Sequence, residues 1–273
     1  MNLLIAGHGY VGRELARQAT KVGHEVTALS KSGGDGARAC DLSNCASVLT
    51  LADAVAPGTI IHCASSGRGG ADAYRAVFLE GSRNLLATFP EARLIFVSST
   101  SVYGQTDGST VTEDSETLPG RETGRILLEA EEVVRQSGGT VARLAGIYGP
   151  GRSVILQKFL AGQAIIEEDG RRILNQIHRD DAASALLHLA TAATSAGEVF
   201  NVADSQPLSQ GDTYRGLSDL FDRPLPPPGP KPENRKRAWT HKCVSNAKLV
   251  ATGWAPRHPS FLDAAREIAP TLS

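Results

Sequence analysis

The sequence predicts an α/β protein in which a doubly wound parallel sheet carries a small C-terminal substrate lobe. Three observations predict it. Short, continuously apolar runs alternate with longer helical patterns up to about residue 150, the signature of a parallel sheet covered on both faces. A glycine-rich turn follows the first run and opens a helix. After Gly151 the alternation loosens and leads into a proline-rich stretch, Arg223–Pro232.

Taken in order, Asn2–Ala6 is a strand and Val11–Gly23 a helix. Glu25–Leu29 is a second strand and Arg38–Leu42 a third. Thr59–Ser65 and Arg93–Ser99 follow, with a helix over Asp72–Phe89 between them. Arg121–Val134 is helical, and Thr140–Gly149 is a sixth strand. Ser153–Gly162 is a short helix; Ile173–His178 leads into the Asp-capped helix Asp180–Ala193, and Glu198–Asp204 is another strand. The run RPLPPPGPKP must be an extended or polyproline connection. Helices near Asn246–Ala251 and Phe261–Ile268 close the chain.

Charge and composition narrow the function. A net charge of −1 argues against a nucleic-acid or membrane-surface partner. No apolar run reaches membrane-span length, and the start MNLLIAGHGY lacks a signal peptide's basic region. Cys40, Cys45, Cys63 and Cys243 show no CxxC pairing, which suits reduced thiols in a cytoplasmic protein. No third ligand accompanies Cys40 and Cys45, so no metal site is expected.

The segment Gly7-His8-Gly9-Tyr10-Val11-Gly12 carries the GxGxxG spacing between a strand and a helix. The first glycine permits the tight turn, the second admits a pyrophosphate, and the third lets the helix pack on the strand. The sheet is therefore Rossmann-type, with residues 1–150 as the dinucleotide-binding domain. Residues 175–203 return to it, and 151–174 with 204–273 form the lobe. An NAD site would place an acid at the end of the second strand. Here stand Ser30, Lys31 and Ser32, which suit a 2′-phosphate, and Arg38 can add a second charge. NADP is thus expected over NAD, with Asp35 as the residue that would serve NAD instead. His8 either touches a phosphate or is a surface side chain.

Several segments together resemble one family. The glycine loop, Asp41-Leu42 in ACDLSN, IIHCAS, FVSSTSVYG, ARLAGIYGPGR, NQIHRDD and EVFNVAD occur in the order found in extended short-chain dehydrogenases/reductases, the group of nucleotide-sugar epimerases and dehydratases. The glycine spacing and TGRILLEAE resemble the atypical YeeZ-like subgroup. The resemblance implies an oxidoreductase or epimerase acting on a polar, sugar-like small molecule. It makes Asp41 and Leu42 adenine contacts, and passes Cys63, Ala64 and Ser65 near the pyrophosphate and ribose. Ser99 matches the residue that holds a substrate oxygen, with Thr100 and Tyr103 beside it. Leu144, Ala145, Gly146 and Ile147 would run beside the nicotinamide, and His178 and Asp181 match a segment bordering the lobe. The family pairs subunits through two helices, so a monomer or a homodimer built on residues 72–89 and 122–137 is expected.

The sequence departs from the family where its YxxxK pair falls on Thr123 and Leu127. A lysine one turn along the helix lowers a phenol's pKa from about 10, whereas threonine and leucine supply no such acid. The proton would then move through Thr123, His178 or a water chain; His178 equally suits a structural cap. Tyr103 either touches substrate or packs the strand end. The basic run Asn234–Lys242 offers Arg235, Arg237 and Lys242 as a clamp for an anionic substrate, or is a solvated loop. Glu129, Glu131 and Glu132 read as a solvated helix face. A non-catalytic NADP(H)-binding sensor is the alternative to an enzyme.

Overall fold

The computed structural model describes residues 1–67, 69–192, 197–231 and 239–272. Strand β1 (Asn2–Ala6) leads through helix α1 (Tyr10–Lys21) to β2 (Glu25–Ser30) and the short β3 (Arg38–Ala39). Helix α2 (Cys45–Leu49), not foreseen from the sequence, is capped by the Asn44 side chain and precedes β4 (Thr59–His62). Helices α3 (Ala71–Tyr74) and α4 (Gly81–Thr88) are joined by a π-helical turn over Arg75–Glu80 where one continuous helix was expected. The wider turn brings Gly81 and Ser82 over the buried His62. A Cβ on Gly81 would lie 3.4 Å from the imidazole, and Ser82 Oγ lies 3.1 Å from His62 Nδ1.

Strand β5 (Arg93–Ser99) ends in a 3₁₀ turn, and β6 (Thr110–Val111) precedes helix α5 (Glu122–Gln136). Ile126, Ala130 and Val134 repeat every fourth residue and are buried, which turns that face of α5 onto the sheet. The expected sixth strand is two. Strand β7 (Thr140–Leu144) stays in the sheet, whereas β8 (Gly146–Tyr148) leaves it. The remaining elements are α6 (Val154–Leu160), β9 (Ile166–Glu167), β10 (Ile173–Leu174), β11 (Gln176–His178), α7 (Arg179–Thr191), β12 (Val199–Val202), β13 (Leu208–Ser209), α8 (Gln210–Phe221), β14 (Pro228–Gly229), β15 (Cys243–Val244), α9 (Ala247–Val250) and α10 (Phe261–Ile268). Strand β8 pairs in parallel with β11, and β14 gives the proline-rich connection a parallel partner in β9.

The central sheet has seven strands in the order β12-β7-β5-β4-β1-β2-β3, and every pairing is parallel. The strand order reverses direction beside β1, so the loops after Ala6, His62, Ser99 and Leu144 share one edge, where such sheets bind ligands. Leu3–Ala6, Ile60, Ile61 and Leu94–Phe96 lie at 2% exposure or less, as expected of strands covered on both faces. A second apolar cluster joins Tyr148, Phe159, Tyr214, Leu217, Phe261 and Ile268. Val244, Leu249 and Trp254 pack into the main core instead. Among the described residues no helix is long and apolar enough to cross a membrane.

Candidate active site

The glycine loop has the shape a dinucleotide needs. Gly7 sits at φ +125°, where a side chain would strike the backbone of Ala64, and a Cβ on Gly12 would strike the Gly7 carbonyl. Gly9 differs: nothing lies within 4 Å of where its Cβ would be, which leaves a cradle open over the amino end of α1. Cys63 closes the loop from below, its thiol donating to Gly7 O at 3.2 Å. Burial pushes that thiol up to about 12, so it packs the loop and is no nucleophile. Ala64 is half-buried and Ser65 exposed on the same edge. Val11 faces the core, and Tyr10 is half-buried against it. The Tyr10 hydroxyl donates to Pro150 O at 2.9 Å, and Arg152 and Arg179 each lie 5.3 Å from its ring centre.

At the end of β2 no acid waits for a ribose. Ser30 Oγ donates to Gly33 O, Ser32 is exposed, and Lys31 Nζ lies 2.9 Å from Asp41 Oδ2. The hydrogen bond from Lys31, with those from Ser43, holds the Asp41 carboxyl below the usual range. Arg38 is exposed and opens β3 beside Leu29, near the carboxyl end of β2; it also lines a cavity of about 220 Å³ with residues of β1 and β2. Arg13, which the sequence reading missed, reaches across. Its guanidinium donates to Asp35 at 2.7 Å and to the His8 carbonyl at 3.3 Å. An arginine directly after the third glycine, on the exposed first turn of α1, was the available signal. His8 is half-buried, and Leu42 is buried with its carbonyl held by Asn84.

At the end of β5, Ser99 Oγ accepts from Ser101 N at 3.2 Å and caps the 3₁₀ turn Thr100–Val102. Ser99 is half-buried, Ser101 is exposed and Thr100 is buried. Thr123, in the first turn of α5, is half-buried, and its hydroxyl has no hydrogen-bond partner among the described residues. Leu127, one turn on, is 4% exposed and belongs to the core. Leu144 and Ala145 are buried; Gly146 and Ile147 are half-buried on the β8 edge.

Three expectations are corrected here. Tyr103 is wholly buried, its phenol accepting from Arg143 at 2.8 Å and donating to Asn201 at 2.9 Å, so it packs the strand end and does not face substrate. Glu131 is not solvated. It binds Arg143 through both Nε and Nη2 and accepts from Ser98 Oγ at 2.5 Å, with each charged side chain at 7% exposure or less. His178 has no exposed surface, and its Nδ1 accepts from Asp180 N at 3.2 Å as the cap of α7. Burial first, then the neighbouring His258 ring centred 4.1 Å away, keeps its pKa low. This makes it a structural cap. His178, Asp181 and His258 bring ligand-type atoms within 4.8 Å of one another. Asp181 is, however, already committed to Arg257 N, His258 N and His258 Nδ1.

Arg235 and Arg237 lie outside the described residues. Lys242, offered by the sequence as part of an anion clamp or of a solvated loop, is 4% exposed, so the solvated alternative does not hold for it. Its ammonium donates to Tyr103 O at 2.8 Å and Thr240 Oγ1 at 3.2 Å, and it has no carboxylate partner among the described residues. Burial, with a contribution from Arg172, lowers its pKa to about 8.

Comparison with known proteins agrees with this geometry. The family model for the NAD dependent epimerase/dehydratase family matches residues 3–203. Protein YeeZ of Escherichia coli K12 is 33% identical over 242 residues, covering 82% of this chain and 84% of its own. The dTDP-4-dehydrorhamnose reductase of Mycolicibacterium smegmatis is 28% identical over 250 residues, covering 81% and 73%. The human epimerase family protein SDR39U1, solved with NADPH, superposes with a TM-score of 0.81 at 20% identity over the full length of both chains. With most of its length matched by one family model, the chain belongs to the NAD dependent epimerase/dehydratase family and has that family's NAD(P)-binding Rossmann fold.

Proposed function

We propose that this protein is an NADP(H)-dependent oxidoreductase that reduces a carbonyl group on a polar, sugar-like small molecule. The observation that carries the reading is the hydroxyl of Ser99 at the carboxyl end of β5, on the sheet edge that also presents the open cradle at Gly9. Thr123, in the first turn of α5, offers a second hydroxyl that has no partner among the described residues. The open space over Gly9 fits a pyrophosphate, with the first N–H groups of α1 facing it. Asp41 and Leu42 border the adenine end, and Gly146 and Ile147 the nicotinamide end. Ser30, Lys31, Ser32 and Arg13 supply donors and charge for a 2′-phosphate. Bound there, the reduced cofactor would supply a hydride to a carbonyl carbon. Ser99 would hold the carbonyl oxygen, and Thr123 would give it a second donor. Reduction is favoured over epimerisation because two curated relatives are reductases, 2′-dehydrokanamycin reductase of Streptomyces kanamyceticus and the dTDP-4-dehydrorhamnose reductase. The NADPH of human SDR39U1 supports the choice of cofactor.

A sensor that binds NADP(H) without turnover is the second reading, favoured by Leu127 standing buried where the family's lysine would be. Ser99→Ala separates the two. On a substrate found by screening NADPH oxidation against sugar ketones and aldehydes, it should lower turnover on the order of 10²-fold and leave NADPH affinity within about twofold. Thr123→Val should cost less than about tenfold. Tight NADPH binding with no turnover across such a screen supports the sensor.

A further inference from the structure

The oxidoreductase reading leaves a gap: a carbonyl oxygen that receives a hydride at its carbon must also receive a proton. Neither Ser99 nor Thr123 is acidic enough to give one near neutrality. The helix position of the usual phenol carries no titratable group, and His178 is a buried cap. Resting on that reading, we infer that Lys242 is the acid–base residue of the site, supplied from the far end of the chain in place of the missing pair.

Geometry carries the assignment. The Lys242 ammonium donates to the carbonyl of Tyr103, four residues beyond Ser99 on the turn that Ser99 itself caps. Its own carbonyl accepts from Asn175 Nδ2 at 2.9 Å, and the Asn175 carbonyl accepts from Gly146 N at 3.1 Å. Gly146 opens β8, the edge offered to the nicotinamide. The Lys242 side chain is therefore bonded to the turn after β5, and its backbone carbonyl, through Asn175, to the start of β8; on the oxidoreductase reading these two segments flank the substrate. An ammonium has three N–H donors, and two are spent, on Tyr103 O and Thr240 Oγ1. The third is left for a ligand oxygen.

The electrostatics agree. A buried ammonium without a carboxylate is costly, and such lysines lower their pKa and serve as acids and bases. The charged group acting on Lys242 is Arg172, itself placed 3.8 Å from Glu167, and it adds to the effect of burial. His241 is turned away, its Nδ1 accepting from Ile173 N. In the reduction the carbonyl carbon gains the hydride and its oxygen gains the Lys242 proton. The neutral amine then takes a proton from solvent, and in the reverse direction it accepts the hydroxyl proton.

Reductive methylation of the full chain with [13C]formaldehyde and cyanoborohydride, followed by NMR, tests this. Formaldehyde is the smallest carbonyl probe, and the spectrum of Lys242→Met assigns the resonance. The dimethylated Lys242 should titrate near pH 8, well below the ~10.4 of ordinary lysines, and its resonance should move on adding NADPH. Titration with the surface lysines overturns the assignment, as does failure of Lys242 to label. Where NADPH oxidation is measured, the wild-type rate should fall as pH rises through about 8, because the donor is the protonated form. Lys242→Arg keeps the charge and the hydrogen bonds but holds its proton above pH ~12, and it should lose turnover on the order of 10²-fold with NADPH affinity within about twofold. Full activity in Lys242→Arg would mean that charge alone suffices, and the assignment fails. If the wild type does not bind NADPH, the oxidoreductase reading falls and this assignment with it. An ordinary titration of Lys242 with normal NADPH binding removes Lys242 alone.

Discussion

Two sets of ion pairs flank the ligand edge, and they are built on opposite plans. Beneath Ser99, the Glu131–Arg143 pair lies at 7% exposure or less and is enclosed by Ser98, Tyr103 and Asn201. Past the end of β2, Lys31–Asp41 and Arg13–Asp35 stand in solvent, with the two cations at 82% and 61% exposure. A buried, fully hydrogen-bonded pair fixes geometry, because losing either partner strands the other in a low-dielectric site. An exposed pair contributes little to stability and is easily exchanged for a better anion. The contrast separates a frame, which ties β5, β7 and α5 together, from a rim whose cations can leave a carboxylate for a phosphate.

The sharpest way to break this contrast is Arg143→Met. It leaves Glu131 buried without its charge partner and should cost about 3–5 kcal/mol of stability in urea unfolding. Adding Glu131→Leu should recover part of that loss; a purely additive double variant would show that the two groups are not a unit.

A second buried carboxyl makes the frame sensitive to pH. Asp204 is 2% exposed, one of its oxygens has no partner among the described residues, and burial with the nearby Asp263 and Asp181 raises its pKa to about 8. The folded state therefore holds a proton that the unfolded chain, with an ordinary carboxyl near ~3.9, releases over this range. The contribution of Asp204 should be fully present below pH ~4 and should decline as pH rises through about 8. Asp204→Asn should flatten that part of a plot of melting temperature against pH. An unchanged slope would assign it to other groups.

Smaller effects belong to the rim. Lys31→Asp should weaken NADPH binding about tenfold and shift preference toward NADH, read by titration calorimetry with both cofactors. Arg13→Ala should weaken NADPH selectively while leaving the melting temperature nearly unchanged, as its exposure implies. A large loss of stability in either variant would erase the distinction between rim and frame.

The parts of this arrangement that could be read from the sequence are those written locally. The glycine spacing, the apolar runs of β1, β4 and β5, and the absence of an acid after β2 all depend on neighbours within a few residues. Glu131 could not be read that way. In EAEEVV it looks like one of three solvated acids, and its burial comes from Arg143 on β7 and Ser98 on β5. The burial of Lys242 was hidden for the same reason: a basic run leaves clamp and solvated loop both open, while its surroundings are set by Tyr103 and Asn175, 139 and 67 residues away. The break between β7 and β8 was hidden because LAGIY stays apolar across it. What redirects the chain is pairing with β11, whose residues lie thirty positions later, Gln176 opposite Gly146.

The placement of Val244, Leu249 and Trp254 in the main core bears on how the protein is made. Strand β12, at one edge of the sheet, and these three side chains are contributed by the last third of the sequence. At synthesis rates of about 5–20 residues per second, the amino-terminal strands wait roughly ten seconds or more for the residues that complete their hydrophobic seam. Until then the growing chain presents unsealed apolar surface on the ribosome, the period in which chaperones have most to protect.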